Sequence, residues 1–168
     1  ANGGTGAPAS VEKTHGQTLT LSSTKPTRSG YTFLGWAESS TATSAMYQAG
    51  GSFSKDANMT LYAVWKVIEY TVIYNANGGT GAPGNQIKTH NIALTLSATK
   101  PTRPGYTFKG WSTSSTATTA SYQPGRSYTA NNNVTLYAVW SEDTYIVTYN
   151  ENGGTSGTAP AKQTKKYG

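Results

Sequence analysis

The chain contains no cysteine, which excludes a disulfide framework and any thiolate metal site. It is also poor in charge: Asp, Glu, Lys and Arg make up 12% of its 168 residues, where an ordinary soluble domain carries about 25%. Acids are the scarcer sign, seven against thirteen basic residues, and His15 and His90 are the only histidines. An enzyme needs a convergent set of titratable groups, and that supply is thin. No apolar run is long enough to span a bilayer, and no secretory or sorting signal is present. The net charge of +6 is spread along the chain, with Lys165-Lys166 the only adjacent basic pair. A nucleic-acid footprint requires a concentrated patch. We therefore expect no nucleic-acid partner, no membrane insertion of this stretch and no cofactor.

What the chain has instead is aromatic residues and repetition. Four Trp, twelve Tyr and three Phe can each bury roughly 150–250 Å², enough to fold a polar, uncharged sequence and to argue against disorder. The abundance of Thr, Ser, Asn and Gly beside so little charge suits the outside of a cell. Ala1–Pro8 aligns with Ala76–Pro83 and Thr60–Trp65 with Thr135–Trp140, always at an offset of 75 residues. Roughly 47 of the 75 aligned pairs are identical, far more than shared composition produces.

A third copy opens at Tyr145-Ile146-Val147-Thr148-Tyr149-Asn150, matching Tyr70–Asn75. The expected organisation is a first repeat over 1–65 without its opening strand, a complete repeat over 70–140, and the start of a third over 145–168. Short linkers fall at 66–69 and 141–144, and the chain reads as an excerpt of a longer array. Linkers of that length restrict the angle between neighbours and favour a stiff array.

Within a repeat, Tyr70–Tyr74 alternates with the period of a strand, and Asn77-Gly78-Gly79 turns the chain. Residues 87–96 read as a second strand and Tyr106–Trp111 as a third, with Val134–Trp140 closing the unit. The polar stretch between has room for one helical turn, at Ala117–Ala120. The class is mostly β, bordering on α+β, with at most a short helix in each unit.

Three motifs recur in order: Y-x-V-x-Y-N with N-G-G-T, P-G-Y-T-F-x-G-W at Pro104–Trp111, and T-L-Y-A-V-W at Thr135–Trp140. In these the chain resembles the Listeria-Bacteroides repeat, the B repeat of internalin-type surface proteins, over essentially its whole length. Ser29 departs from the motif proline in the first copy. The resemblance implies tandem β-grasp-like units with a mixed sheet, the first and last strands parallel at its centre, in extracellular arrays without established enzymatic activity.

Candidate chemistry is sparse. His15 and His90 are read as partly exposed strand residues with no second ligand nearby in sequence. The acids change type between copies: Glu12 aligns with Ile87, Glu38 with Thr113, Asp56 with Asn131, so no carboxylate pair is repeated. Gly78-Gly79-Thr80-Gly81 lacks the Lys-Ser/Thr ending and the helix of a phosphate loop and is read as a turn. Trp36, Trp65, Trp111, Trp140, Phe33 and Phe108 are assigned to the core in preference to sugar-stacking platforms, with Tyr62 and Tyr137 left for surface contact. Asn58 and Asn133 head N-x-T sequons before the last strand and are candidate N-glycosylation sites, and the Ser/Thr runs after Trp36 and Trp111 are candidates for O-linked sugar.

The functional expectation is a structural array, a stalk or filament at the cell surface. Neighbouring copies of the chain are its partners, joined covalently or by strand pairing, with residues Tyr145–Tyr149 the donor strand. The alternative is a multivalent adhesion module that binds cell-surface polysaccharide, cell wall or host surface through repeated residues such as Lys25, Arg28, Lys100 and Arg103.

Overall fold

The computed structural model describes residues 1–154 and 156–167. Twelve strands and no helix are found among them, β1 (Leu19–Thr20), β2 (Tyr31–Ala37), β3 (Ser52–Phe53), β4 (Tyr62–Val67), β5 (Glu69–Asn75), β6 (Gln86–Thr89), β7 (Leu94–Thr95), β8 (Tyr106–Ser112), β9 (Ser127–Tyr128), β10 (Val134–Glu142), β11 (Thr144–Val147) and β12 (Gln163–Lys166). The protein is mostly β. It divides into two compact units, Ala1–Glu69 with Thr89–Asn91, and Tyr70–Lys88 with Ile92–Gly168.

In the second unit a four-stranded sheet runs in the order β6-β5-β10-β8. β10 lies parallel to β5, with Val134 opposite Val72 and Leu136 opposite Tyr74, and antiparallel to β8. β10 therefore has strands on both sides, and Leu136, Ala138 and Val139 are at most 1% exposed. They join Val72, Tyr74, Leu96, Trp111 and Tyr128 in the core, where each large apolar side chain contributes about 1.5–3 kcal/mol by leaving water. The small ribbon β7-β9 closes the core with Leu96 just beyond it.

The F-x-G-W motif has a physical reason. β8 carries one extra residue, Lys109, between Phe108, opposite Trp140, and Gly110, opposite Val139, a bulge that re-aims Trp111 into the core. Gly110 takes φ 129° there, and a Cβ on it would lie 2.7 Å from the Tyr122 carbonyl oxygen. In the first unit Gly35 repeats the arrangement at φ 139°, with Leu34 the extra residue between Phe33 and Gly35.

One expectation is corrected, and the room left for a helical turn is not used. The stretch 87–96 is two strands, β6 and β7, because the chain turns at His90–Asn91, where Asn91 adopts φ 57°; Asn tolerates this left-handed conformation better than most residues. Residues 117–120 form no helix. The Thr116 amide donates to Ser114 Oγ at 3.3 Å, and Ser114 to Ser112 Oγ, local bonds that compete with a helix.

Candidate functional site

The two repeats have nearly the same sequence but different opening segments, so they can be read against each other. In the second unit β5 places Val72 and Tyr74 inward, 0% and 7% exposed. The Tyr74 ring meets Trp111 edge-on at 4.9 Å. Its hydroxyl donates to Gln86 Oε1 at 2.5 Å and accepts the Ser97 amide at 3.1 Å, and burial pushes its pKa up. Asn133 Oδ1 accepts the Thr71 amide at 2.8 Å and fixes the start of the strand. Below it Lys88 is buried, its ammonium donating to Asn131 Oδ1 at 2.9 Å. A single strand thus supplies two core side chains and pairs with strands on both its edges.

The first repeat, as it stands in this sequence, opens at the equivalent of Ala76. The first unit has a cavity of about 890 Å³, lined among others by Leu19, Leu21, Trp36, Phe53, Met59 and Leu61. The equivalents of these residues are Leu94, Leu96, Trp111, Tyr128, Val134 and Leu136; four of them belong to the buried core and the other two pack against it. The strands bordering the cavity are shortened. β4 starts at Tyr62 whereas β10 starts at Val134, the equivalent of Met59, and residues 11–14 are not a strand although their counterpart is β6. Met59 is 40% exposed. A strand edge with nothing to hydrogen-bond against does not hold its ladder.

At the rim, Lys13 pairs with Asp56, which also accepts the Gly16 amide at 3.1 Å; these two bonds, Lys13 first, hold the Asp56 carboxyl below its ordinary pKa. Exposed His15 lies 3.4 Å from the same carboxylate. Elsewhere in the unit Lys55 and Tyr47 hydrogen-bond Glu38 and lower its pKa, Lys55 the more strongly.

The third-copy strand, β11, is exposed along its length. It is not solitary, because β12 pairs with it antiparallel, Tyr145 opposite Lys165 and Val147 opposite Gln163. Val147 and Tyr149, the counterparts of Val72 and Tyr74, are 44% and 43% exposed. Thr148 and Tyr149 lie just past the strand end, and Tyr149 keeps the tyrosine–glutamine bond, donating to Gln163 Oε1 at 3.2 Å.

Among the aromatic residues, Trp36 and Trp111 are buried, and Trp65, Trp140, Phe33 and Phe108 are half-buried. Phe33 and Phe108 each stand edge-on to two of the indoles, at 5.1 and 5.6 Å. The N-G-G loop lies on the last tryptophan of its repeat. Trp140 Nε1 donates to the Ala76 and Asn77 carbonyls, Asn77 Nδ2 donates to the Ala138 carbonyl, and a Cβ on Gly79 would stand 2.6 Å from the Trp140 ring. Asn58 and Asn133 are both exposed, Tyr62 and Tyr137 half-buried, and Lys25 and Lys100 exposed. Arg28 and Arg103, expected to serve surface contact, hold their guanidinium groups 3.8 Å from the ring centres of Tyr31 and Tyr106, a stacking that sequence reasoning missed. The R-x-G-Y spacing, repeated in both copies, was the available signal.

It also missed a seat formed by a glycine. Within the first unit the Ile68 amide donates to the Gly30 carbonyl and the His90 amide to the Ile68 carbonyl, both at 2.9 Å. The His90 ring lies where a side chain on Gly30 would be, 2.1 Å from its Cβ. Within the second unit Gly105, Asp143 and Tyr167 repeat the pattern, with bonds of 2.9 and 3.3 Å and a Gly105 Cβ 2.0 Å from the Tyr167 ring. His90 is thus a turn residue seated on glycine, while exposed His15 faces Asp56. Among the described residues no three His, Asp or Glu side chains gather to hold a metal ion.

Tandem, sequence-similar β units joined strand to strand, the second built round a parallel central pair, define a repeat protein. The family model of the Listeria-Bacteroides repeat domain matches residues 1–64 and 70–139, and the chain belongs to that family, whose members are typically parts of extracellular surface proteins. It is 31% identical over 99% of its length to a protein of Evansella cellulosilytica named "Putative membrane protein", covering 24% of that protein, and 32% identical over 92% of its length to "Putative Gly-rich membrane protein" of the same organism, covering 17%. It is 29% identical over 71% of its length to Internalin H of Listeria monocytogenes, covering 21% of it. The chain therefore spans a quarter or less of each of these relatives. No solved structure matches it.

Proposed function

We propose that the chain is a non-enzymatic segment of an extracellular array that serves as a stalk or fibre at the cell surface, its repeats coupled end to end and able to exchange strands. The observation that carries this reading is the repetition itself: units of 75 residues share their strand-forming motifs and follow one another with a single residue, Ile68 or Asp143, between the last strand of one and the first strand of the next. The relatives named as membrane proteins and as an internalin fit a parent attached to a cell surface.

The test is to shorten the array in the parent protein and measure antibody access to its outermost epitope on intact cells. A stalk loses access in proportion to the repeats removed, whatever their surface residues. Unchanged access after removal of all repeats contradicts the reading. Exposed Lys25 and Lys100, at equivalent positions, favour a second reading, multivalent adhesion to acidic polysaccharide. It requires binding to a polyuronate column that weakens as salt rises. Glycans on Asn58 and Asn133 would decorate either device, and intact-mass measurement of the secreted parent decides their presence.

A further inference from the structure

We infer that Lys88 and Asn131 react with each other to form an intramolecular amide cross-link, which ties the edge strand β6 to the segment leading into the central strand β10. The inference goes beyond the array reading and does not depend on it. Lys88 is 1% exposed, and its Nζ lies 2.9 Å from Asn131 Oδ1, an oxygen one bond from the acyl carbon Cγ. Both residues belong to the second unit, 43 positions apart in sequence, and Asn131 is half-buried. The fold thus holds an amine against an acyl carbon with its translational freedom already lost. Well-oriented pairs of this kind reach effective molarities on the order of 10⁵–10⁸ M, and burial keeps out the water that would compete for the same carbon.

In the reaction the amine form of Lys88 attacks Asn131 Cγ. The Nζ–Cγ bond forms, the Cγ–Nδ2 bond breaks, one proton passes from Nζ to Nδ2, and ammonia leaves. Counted from the lysine ammonium, the departing species is the ammonium ion, so charge balances as well. Nothing is oxidised or reduced, and no outside reactant is consumed. The first unit repeats the placement, because Lys13 and Asp56, at the equivalent positions, also face each other. The Asp56 carboxyl is held below its ordinary pKa by Lys13 first and by the Gly16 amide second. An ionised carboxylate is a poor acyl donor, since attack would load a second negative charge onto its oxygens, whereas a carboxamide is neutral. The first pair therefore stays ionic and the second condenses.

The link spans β5, which lies between β6 and β10 in the sheet. It closes the chain from Lys88 to Asn131 into a covalent loop, and a cross-link of that kind stabilises a fold by restricting the unfolded chain. It also reroutes force. Tension that enters a repeat at β5 and leaves at β10 passes from Lys88 to Asn131 through the link, without drawing out residues 89–130.

The probe is the purified 168-residue chain, read by intact mass and by tryptic peptide mapping after denaturation. The expected mass lies one ammonia, about 17 Da, below that of the sequence. Trypsin does not cut at an acylated lysine or before proline, so the map should contain a branched peptide that joins residues 67–109 to residues 127–162. A backbone succinimide at Asn77-Gly78 loses the same mass but gives no branch. Lys88→Arg keeps a cation at the site and removes the reactive amine; it should retain the full mass, and its second repeat should unfold at lower urea than that of the native chain. The branched peptide is read on the native chain, so it tests the inference even where Lys88→Arg does not fold. Recovery of residues 67–88 as a peptide ending in free Lys88, in place of the branch, overturns the inference. An ammonia loss of unchanged extent in Lys88→Arg also overturns it, and the stalk reading stands in either case.

Discussion

Leu136→Ala and Leu61→Ala make the same chemical change at equivalent positions, yet the two should differ in cost severalfold. Leu136 is 0% exposed and faces Tyr74 across the parallel pair. Truncation there leaves a closed cavity, and such changes cost about 2–5 kcal/mol; we take about 3. Leu61 is half-exposed and already lines an 890 Å³ cavity, so few of its contacts are lost, and about 1 kcal/mol is the reasonable figure on transfer of the methyl groups that are still covered. Native-state hydrogen exchange read by mass spectrometry reports both, because peptides from β8–β10 and from β2–β4 are followed separately in one chain. The second repeat should lose about 3 kcal/mol of protection in Leu136→Ala, and the first about 1 in Leu61→Ala. When the chain is extended by Tyr-Thr-Val-Ile-Tyr-Asn, the cost at Leu61 should rise to match that at Leu136. Equal losses in the unextended chain would refute the reasoning, since they would mean that the core closes without an opening strand.

Gly79→Ala should destabilise the second repeat by about 1–3 kcal/mol, the range for overpacking, because its Cβ would stand 2.6 Å from both Trp140 and the Thr102 carbonyl; urea denaturation with tryptophan emission measures it. Gly105→Ala should displace Tyr167 from its seat and speed exchange of the Tyr167 amide at least tenfold, without altering protection in β10. Acid should weaken the first repeat before the second. The folded-state pKa values of Asp56 and Glu38 are lowered, chiefly by hydrogen bonds from Lys13 and Lys55. Their contribution is therefore complete above the unfolded carboxylate range, about pH 4, and is lost as pH falls below it. The equivalents Asn131 and Thr113 do not titrate, and a melting series from pH 7 to about 3 separates the two repeats.

The strands that alternate or end in tryptophan were legible in the sequence. Tyr70–Tyr74 and Val134–Trp140 carry the period-2 pattern, and the 75-residue offset locates each twice. Their parallel pairing was not, because no local spacing encodes which distant strand lies alongside; it followed only from the family resemblance. The break between β6 and β7 escaped notice since His90-Asn91 interrupts a β-prone run without Gly or Pro. The site was partly readable: the aromatic and leucine residues lining the first unit's cavity, Leu19, Leu21, Trp36 and Leu61, recur unchanged in the core of the second repeat. The fraying of residues 59–61 and 11–14 was not foreseen, because those residues carry the same strand propensity in both copies and differ only in whether a neighbour completes their ladder. The seats on Gly30 and Gly105 join residues about 60 positions apart and leave no periodic mark.

The most direct measurement is amide exchange in the 168-residue chain before and after adding a free peptide of sequence Tyr-Thr-Val-Ile-Tyr-Asn. The account predicts new protection confined to residues 59–62 and 11–14, with the second repeat unchanged. No change at those amides at millimolar peptide, or protection spread over both repeats, would contradict the claim that one strand completes this fold.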